Sequence, residues 1–263
     1  MRTIFCKEMK LNIKSLLIWS LTVGGLGLIC VLMYQSMEGD MQEMADAFSN
    51  MGAFSDAFGM STLSIATLAG FFATEVGTVH GLGSGMFAAV IAIAILSKEE
   101  EGHTGEFLFS LPVSRTKVIA AKGISVLIAL VAFTVICGIM YLIGVAMLGE
   151  TIPNEEFIRF MAGQLLMNIE VASVCFAISS ISGKNRMGLG IGIVMVMYFY
   201  DVVGRVVPDL KDYLFIGPYS YANASEIFSG AETDGKAVAV GVIIAVVCVI
   251  YAFWEYNRRD LAG

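Results

Sequence analysis

The architecture of this chain follows from KEEEGHTGEFLFSLPVSRTKVIAAK, residues 98–122, a polar segment that separates two long apolar runs. Its first half is rich in carboxylates and then becomes apolar at Phe107 and Leu108. A short helix with an acidic first turn and an apolar face can lie along a membrane surface and contact a partner. Pro112 ends this pattern, and Ser114 can cap a second helix that continues into the next apolar run. The alternative is a plain solvated loop, because charge runs usually face water.

The composition indicates an integral membrane protein. Of the 263 residues, 57% are hydrophobic and only 15% are charged, and the mean hydropathy is +0.78. Soluble domains are nearer half apolar and a quarter charged. The net charge of -7 does not indicate a nucleic-acid partner, because the position of charges matters more than their sum in a membrane protein. The five cysteines occur singly, without a C-x-x-C pair, which predicts packing residues and neither a disulfide framework nor a metal site.

Six apolar runs are long enough to cross a hydrocarbon core of ~30 Å, which takes about 17 to 25 helical residues. The predicted fold is therefore an all-α transmembrane protein with one domain over residues 1–263. The predicted spans are about 15–37, 76–97, 123–148, 157–182, 187–207 and 237–253. Residues 1–14 carry apolar and basic positions on different faces of a helical wheel, which predicts an amphipathic helix at the membrane surface. Residues 58–73 are moderately apolar and fit either a surface helix or a re-entrant segment.

The basic residues lie mostly on one side of this predicted topology. Because positively charged segments stay on the cytoplasmic side, both termini and residues 98–122 are predicted to be cytoplasmic. The twelve of the sixteen Lys and Arg residues on that side are Arg2, Lys7, Lys10, Lys14, Lys98, Arg115, Lys117, Lys122, Lys184, Arg186, Arg258 and Arg259.

Four charged residues fall inside the predicted spans, and one of them, Arg159, lies at the very start of the fourth span. Glu170 lies near the middle of the fourth span, where a bare charge costs on the order of 3 kcal/mol or more. It is either a substrate-path or proton-linked group, or a protonated or hydrogen-bonded carboxyl that packs helices together. Asp201 and Arg205 stand at i and i+4 in the fifth span, which predicts a local ion pair.

The sequence carries no catalytic or nucleotide-binding motif. Its two histidines, His80 and His103, fall on opposite sides of the predicted topology. Neither H-E-x-x-H nor a phosphate-binding loop is present, so the chain is predicted to be no enzyme and to hold no cofactor or metal of its own. The spacing of Gly81 and Gly85 instead predicts close approach of helices. Three further glycines predict the same for the fifth span: Gly188, Gly190 and Gly192.

The polar segment resembles the signature of a known family. Glu100–Leu108 and Ser110–Arg115, followed by Lys122, are similar to the E-x-G-T-x-E-x-L…LPVSR…K pattern of ABC-2 type permeases. These proteins are the membrane subunits of ATP-binding-cassette transporters and have the type V exporter fold. The resemblance extends to both ends of the chain, through the basic start with Lys14 and Trp19 and the closing Arg258-Arg259-Asp260-Leu261, and to Gly217-Pro218-Tyr219 before the last span.

The resemblance implies a six-helix half-transporter in a bacterial or archaeal cell membrane. Its implied partners are a second permease copy, in a homodimer or a heterodimer, two copies of an ATPase that binds ATP and Mg²⁺, and membrane lipid, but no nucleic acid. The segment between spans two and three becomes the coupling helix that contacts the ATPase. The residues to which the resemblance gives this coupling role are Glu99, Glu100, Glu101, Gly102, Thr104, Glu106, Phe107, Leu108 and Arg115.

The cargo is predicted only by class. Sixteen methionines and seventeen phenylalanines favour an adaptable apolar lining, and therefore hydrophobic or amphipathic cargo such as antimicrobial or toxin peptides. The alternative to an export permease is a membrane scaffold or channel without ATP coupling. Co-purification of an ATPase distinguishes the two.

Overall fold

The computed structural model describes residues 2–37, 43, 45–47, 51–52, 55, 63–104 and 113–259. Within these ranges the chain is helical and has no β-strand, which confirms the predicted all-α class. Six helices are long and apolar enough to cross a membrane: α1 (Arg2–Met37), α2 (Leu68–Ile93), α4 (Arg115–Leu148), α5 (Asn154–Ile181), α6 (Met187–Val206) and α9 (Gly235–Arg258). Between them the described residues include the short helices α3 (Lys98–Glu101), α7 (Pro208–Lys211) and α8 (Ala224–Phe228), and a 3-10 turn at Leu214–Ile216.

The second spanning helix begins earlier than hydropathy predicts. It starts at Leu68, where the Thr67 hydroxyl accepts a hydrogen bond from the Gly70 amide at 3.1 Å, and it ends at Ile93. Residues 68–73 are therefore helical and continuous with α2. Residues 58–62 lie outside the described part of the chain. The early start escaped prediction because glycine and hydroxyl residues dilute the apolar run before residue 76.

The first helix is continuous from Arg2 to Met37, so the predicted amphipathic segment forms its first turns and is not a separate element. At 1.5 Å per residue, its 36 residues extend over roughly 54 Å, well beyond the ~30 Å of a hydrocarbon core. The 34 residues of α4 are nearly as long. The position of residues 2–14 on the membrane surface stays a prediction.

A wider, π-helical turn at Phe72–Val76 interrupts α2. Phe72 is fully buried, and its ring is the centre of an aromatic cluster that joins α2, α4, α5 and α8. Among the described residues, four rings lie 5.5–5.9 Å from it between centroids: Tyr141, Phe157, Phe160 and Phe228. We refer to this end of the bundle as the loop end.

Helices α2 and α5 form the centre of the bundle. They pack on each other, α1 packs along α4 and against α2, α9 packs on α5, and α6 packs on α2. Helices α6 and α9 are buried least. The start of α1, the whole of α3 and the end of α9 meet at the end opposite the loop end, which we refer to as the terminal end.

Glycines let α1 and α4 approach closely. A Cβ atom at Gly27 would lie 2.3 Å from Cε1 of Tyr141, whose ring is fully buried. A Cβ atom at Gly144 would lie 3.2 Å from Val31 Cγ1. These contacts leave no room for a side chain, so the two helices pack with their backbones close together.

The glycines that the sequence analysis singled out have different roles. Gly190 packs on Ala89 and Ile93 of α2, as the prediction of close helix approach requires. Gly85 instead makes room for the Tyr219 hydroxyl, which would lie 2.6 Å from a Cβ atom there, and the same hydroxyl donates to the Gly81 carbonyl at 3.3 Å. The space left by Gly81 and Gly85 therefore accommodates a side chain of the loop as well as a neighbouring helix.

We expect Gly27→Ala to destabilise the protein by about 1–3 kcal/mol, because the added methyl group would overlap the fully buried Tyr141 ring. Thermal unfolding of the purified protein in detergent checks this, with Gly25→Ala as the matched control. A Cβ atom at Gly25 meets only Met140 Cε at 3.8 Å, so alanine fits there. Equal Tm values for the two variants would contradict the close packing of α1 and α4.

Candidate functional site

The short helix α3 is held on the bundle by its backbone. It follows a turn at residues 94–97, and the Leu96 amide in that turn donates to the Ser179 hydroxyl of α5 at 3.0 Å. The Thr104 amide donates to the Glu99 carbonyl at 2.8 Å and closes the chain after the helix. The acidic segment that the sequence analysis singled out is therefore attached to a central spanning helix.

Lys122 of α4 is the centre of the charged cluster at the terminal end. Its side chain is fully buried. The ammonium group donates to both carboxylate oxygens of Glu99 at 2.7 Å, to Glu8 Oε1 at 3.1 Å and to the Ile95 carbonyl at 2.6 Å. One buried cation thus joins α1, α3, α4 and the turn that precedes α3.

The cluster is balanced in charge. Glu8 is almost fully buried and also pairs with Lys98, so two carboxylates face two ammonium groups. A buried ion costs several kcal/mol to desolvate, and only close partners and hydrogen bonds recover that cost. The cluster therefore holds α3 in one position relative to α1 and α4, because any displacement would separate buried charges.

A second group of contacts ties α3 to the end of α9. Arg259 pairs with Glu100 and also donates to the Ser180 carbonyl of α5 at 2.9 Å. Arg115, at the start of α4, donates to the Arg259 carbonyl at 2.5 Å. Glu100 and Arg115 thus bring the ends of α3, α4, α5 and α9 together.

The predicted coupling residues divide into two sets. Glu99 and Glu100 turn into the protein, whereas Glu101, Gly102 and Thr104 are exposed. Glu101 also accepts a hydrogen bond from the Asn185 amide at 3.1 Å. Three other predicted coupling residues, Glu106, Phe107 and Leu108, lie outside the described part of the chain. The role of all these residues toward an ATPase stays a prediction.

Four residues of these contacts were missed as site residues at the sequence level: Glu8, Lys98, Lys122 and Arg259. Glu8 falls on the buried stripe of α1 that continues through Leu16, Ser20, Val23 and Gly27. A carboxylate on a packing stripe is a signal that a cation faces it. Arg259 was recognised only as part of the closing motif, since nothing in its local sequence connects it to Glu100.

Glu170 is buried between α5 and α9 and bonded to a loop. Its Oε2 atom accepts from the Tyr221 hydroxyl at 2.7 Å, and Gly241 of α9 packs against it so closely that a Cβ atom would lie 2.5 Å from the same oxygen. Burial raises the pKa of Tyr221, and the neighbouring carboxylate raises it further, so the phenol stays protonated and donates. This geometry favours the helix-packing interpretation of Glu170.

The predicted pair of Asp201 and Arg205 forms and extends to a third residue. Arg205 donates to Asp201 at 2.8 and 3.1 Å and to Glu226 of α8 at 2.5 Å. The guanidinium therefore ties the loop end of α6 to the segment that precedes α9. Among the residues that the structure describes, no three His, Cys, Asp or Glu side chains form a potential metal site.

We expect Lys122→Met to lower stability by about 3–5 kcal/mol, because it leaves Glu99 buried without its counter-charge. Thermal unfolding in detergent checks this. Adding Glu99→Gln to Lys122→Met should recover at least half of the loss, since the unpaired charge is then removed. Lys10→Met, at an exposed lysine of α1, should change stability by no more than about 0.5 kcal/mol. A double variant no more stable than Lys122→Met would contradict the charge-balance argument.

The family of the chain follows from its sequence and its fold together. A sequence model of the ABC-2 family transporter protein matches residues 2–261, nearly the whole chain. No curated protein shows significant similarity to it. The match includes all six apolar helices and the charged cluster at the terminal end. The protein is therefore a multi-pass membrane permease of the ABC-2 transporter family.

Proposed function

We propose that this permease is the membrane subunit of an ATP-driven exporter, with the terminal end of the bundle in the cytoplasm. Membership of the ABC-2 family supports a partnership with an ABC ATPase. The excess of Lys and Arg on the side of the termini supports the orientation. In this proposal two copies of the ATPase bind ATP and Mg²⁺, and the permease itself hydrolyses nothing.

The observation that carries the proposal is the attachment of α3 to four spanning helices. Lys122 and Lys98 connect it to α4 and α1, Arg259 connects it to α9, and the preceding turn is bonded to α5. A force applied to α3 would therefore reach these helices without being absorbed by a flexible hinge. Closure of the ATPases would move them as nearly rigid bodies and shift the permease between two packings.

The coupling residues have two different roles, depending on whether they are buried in the permease or exposed. Glu99, Glu100 and Arg115 anchor the coupling segment within the permease. The exposed Glu101, Gly102 and Thr104 face outward and contact the ATPase, together with three residues of the same segment, Glu106, Phe107 and Leu108. An anchored base and an exposed contact surface are the two properties that a mechanical coupling element requires.

A second permease copy packs against α6 in this proposal. Helix α6 is one of the two least buried spanning helices. A Cβ atom at Gly188 or at Gly192 would meet no described atom within 4 Å, so this G-x-x-x-G spacing is open on the outside of the monomer. Such a face suits close contact with another helix. The cargo, of the hydrophobic or amphipathic class, would cross the membrane along this contact between the two permeases.

We expect Glu101→Lys to reduce the amount of ATPase that co-purifies with the tagged permease by roughly fivefold, because it reverses a charge on the contact surface. Glu100→Gln should retain the ATPase but lower transport-linked ATP hydrolysis, since it releases α3 from Arg259. Glu232→Lys, a reversal at an exposed residue of the loop end, is the control and should change neither quantity. Equal losses in Glu101→Lys and Glu232→Lys would contradict the assignment, as would the absence of any ATPase in the wild-type preparation.

We expect Gly192→Cys to form a disulfide-linked dimer in membranes treated with a mild oxidant, because the open face of α6 brings two copies of this residue together. The measurement is the fraction at double mass on a non-reducing gel, in a background where the exposed Cys6 is serine. Ala239→Cys, exposed on α9, is the matched control and should stay monomeric. A larger dimer fraction for Ala239→Cys than for Gly192→Cys would contradict this proposal and indicate that the interface lies on α9.

A further inference from the structure

An apolar cleft of about 290 Å³ lies on the outside of the bundle between α4, α5 and α9. We refer to it as the α4–α9 cleft. Its walls include Leu127 of α4 and Phe253 of α9, and its floor includes Ala172 and Phe176 of α5. Among the described residues of the lining, Ser173 alone has a polar side chain, and its hydroxyl already donates to the Ile169 carbonyl at 2.7 Å. The described lining therefore offers no polar side chain that is free to hold water.

The cleft exists because α4 and α9 pack mainly on other helices. Each contacts α5, and they contact each other over only a short length. Small residues at Ala120 and Gly123 keep the space open, and a Cβ atom at Gly123 would lie 3.6 Å from the Phe176 ring. Ile124 and Leu127 at the rim are 43% and 44% exposed, so the cleft opens toward the hydrocarbon of the bilayer.

The dimensions of the cleft match one leaflet. It extends along α4 from Ala120 to Leu130, which corresponds to roughly 15 Å at 1.5 Å per residue. The hydrocarbon core of a bilayer is ~30 Å thick, so this is about half of it. The cleft lies in the half nearer the terminal end, because Ala120 is five residues from Arg115, the first residue of α4.

A cation stands at the mouth of the cleft. Lys117 is three residues before Ala120 and seven before Ile124, so it lies on the same stripe of α4 as the lining. It is exposed, and no carboxylate of the described residues forms a salt bridge with it. Beside it, the Thr116 hydroxyl bonds to the Asn257 side chain at 3.2 Å and closes the gap between α4 and α9.

We propose that the α4–α9 cleft binds one anionic phospholipid, with an acyl chain in the cleft and the phosphate at Lys117. A dry apolar cleft that opens to hydrocarbon takes up an acyl chain, and the ammonium group above it selects for negative charge. A lysine at a membrane surface attracts anionic lipid with about 1 kcal/mol, which corresponds to roughly fivefold preference over a zwitterionic lipid. The site does not depend on ATP coupling.

Native mass spectrometry of the full chain tests the site. The protein is extracted from bilayers of equal phosphatidylglycerol and phosphatidylcholine, and the retained lipids are counted. We expect about one retained lipid per chain, with roughly fivefold preference for phosphatidylglycerol. Lys117→Gln should remove the preference and Lys117→Arg should preserve it, whereas Gly123→Leu should fill the cleft and abolish retention. Lys10→Gln and Ala239→Leu, at exposed residues that do not line the cleft, are the controls and should behave as wild type.

Several results would overturn the proposal. They are an absence of preference in the wild-type protein, a loss of preference as large in Lys10→Gln as in Lys117→Gln, and full retention in Gly123→Leu. Ala120→Leu fills the same end of the cleft and replaces Gly123→Leu if that variant has a lowered Tm. A cleft-filling variant that separates a permease dimer into monomers without changing lipid retention would identify a second copy as the occupant, and would also overturn the proposal.

Discussion

A buried ammonium group inside a membrane protein needs carboxylates close by to neutralise its charge, and in this protein that group belongs to Lys122. Its side chain is fully buried, and its ammonium group donates to Glu99, Glu8 and a backbone carbonyl at 2.6–3.1 Å. An apolar interface can slide by small steps at little cost, because one hydrophobic contact replaces another. An ion pair in a medium of low dielectric constant cannot, because each step exposes an unpaired charge. The position of α3 is therefore defined far more sharply than hydrophobic packing alone would define it.

The rest of the bundle provides the rigid framework for this cluster. Helices α1 and α4 pack closely through glycines, and at the opposite end a cluster of aromatic rings surrounds Phe72. The two ends thus use different chemistry: buried charge at the terminal end and interlocking rings at the loop end. At the loop end, Arg205 also joins α6 to α8 through ion pairs with Asp201 and Glu226. A displacement of α3 would be resisted at one end and transmitted to the other by helices more than 30 residues long.

The sequence was sufficient for the fold class and for the number of spanning helices, since apolar runs of this length have few other uses in a protein. It was not sufficient for the start of α2, where glycine and hydroxyl residues lower the hydropathy although the chain is helical. The sequence was also not sufficient to predict in which direction the acidic side chains of α3 point. Glu99, Glu100 and Glu101 are adjacent and chemically identical, and only the positions of Lys122, Arg259 and Asn185 in three dimensions decide which of them turns inward.

The π-helical turn at Phe72–Val76 has a consequence for the comparison of this permease with its relatives. A π turn has the length of an ordinary turn with one residue added, and side chains before and after it are rotated relative to each other. A homologue without the added residue would keep the same helix and lose only the bulge. An alignment gap at these positions would then mark a straightened helix, and residues on either side would need to be matched in separate registers.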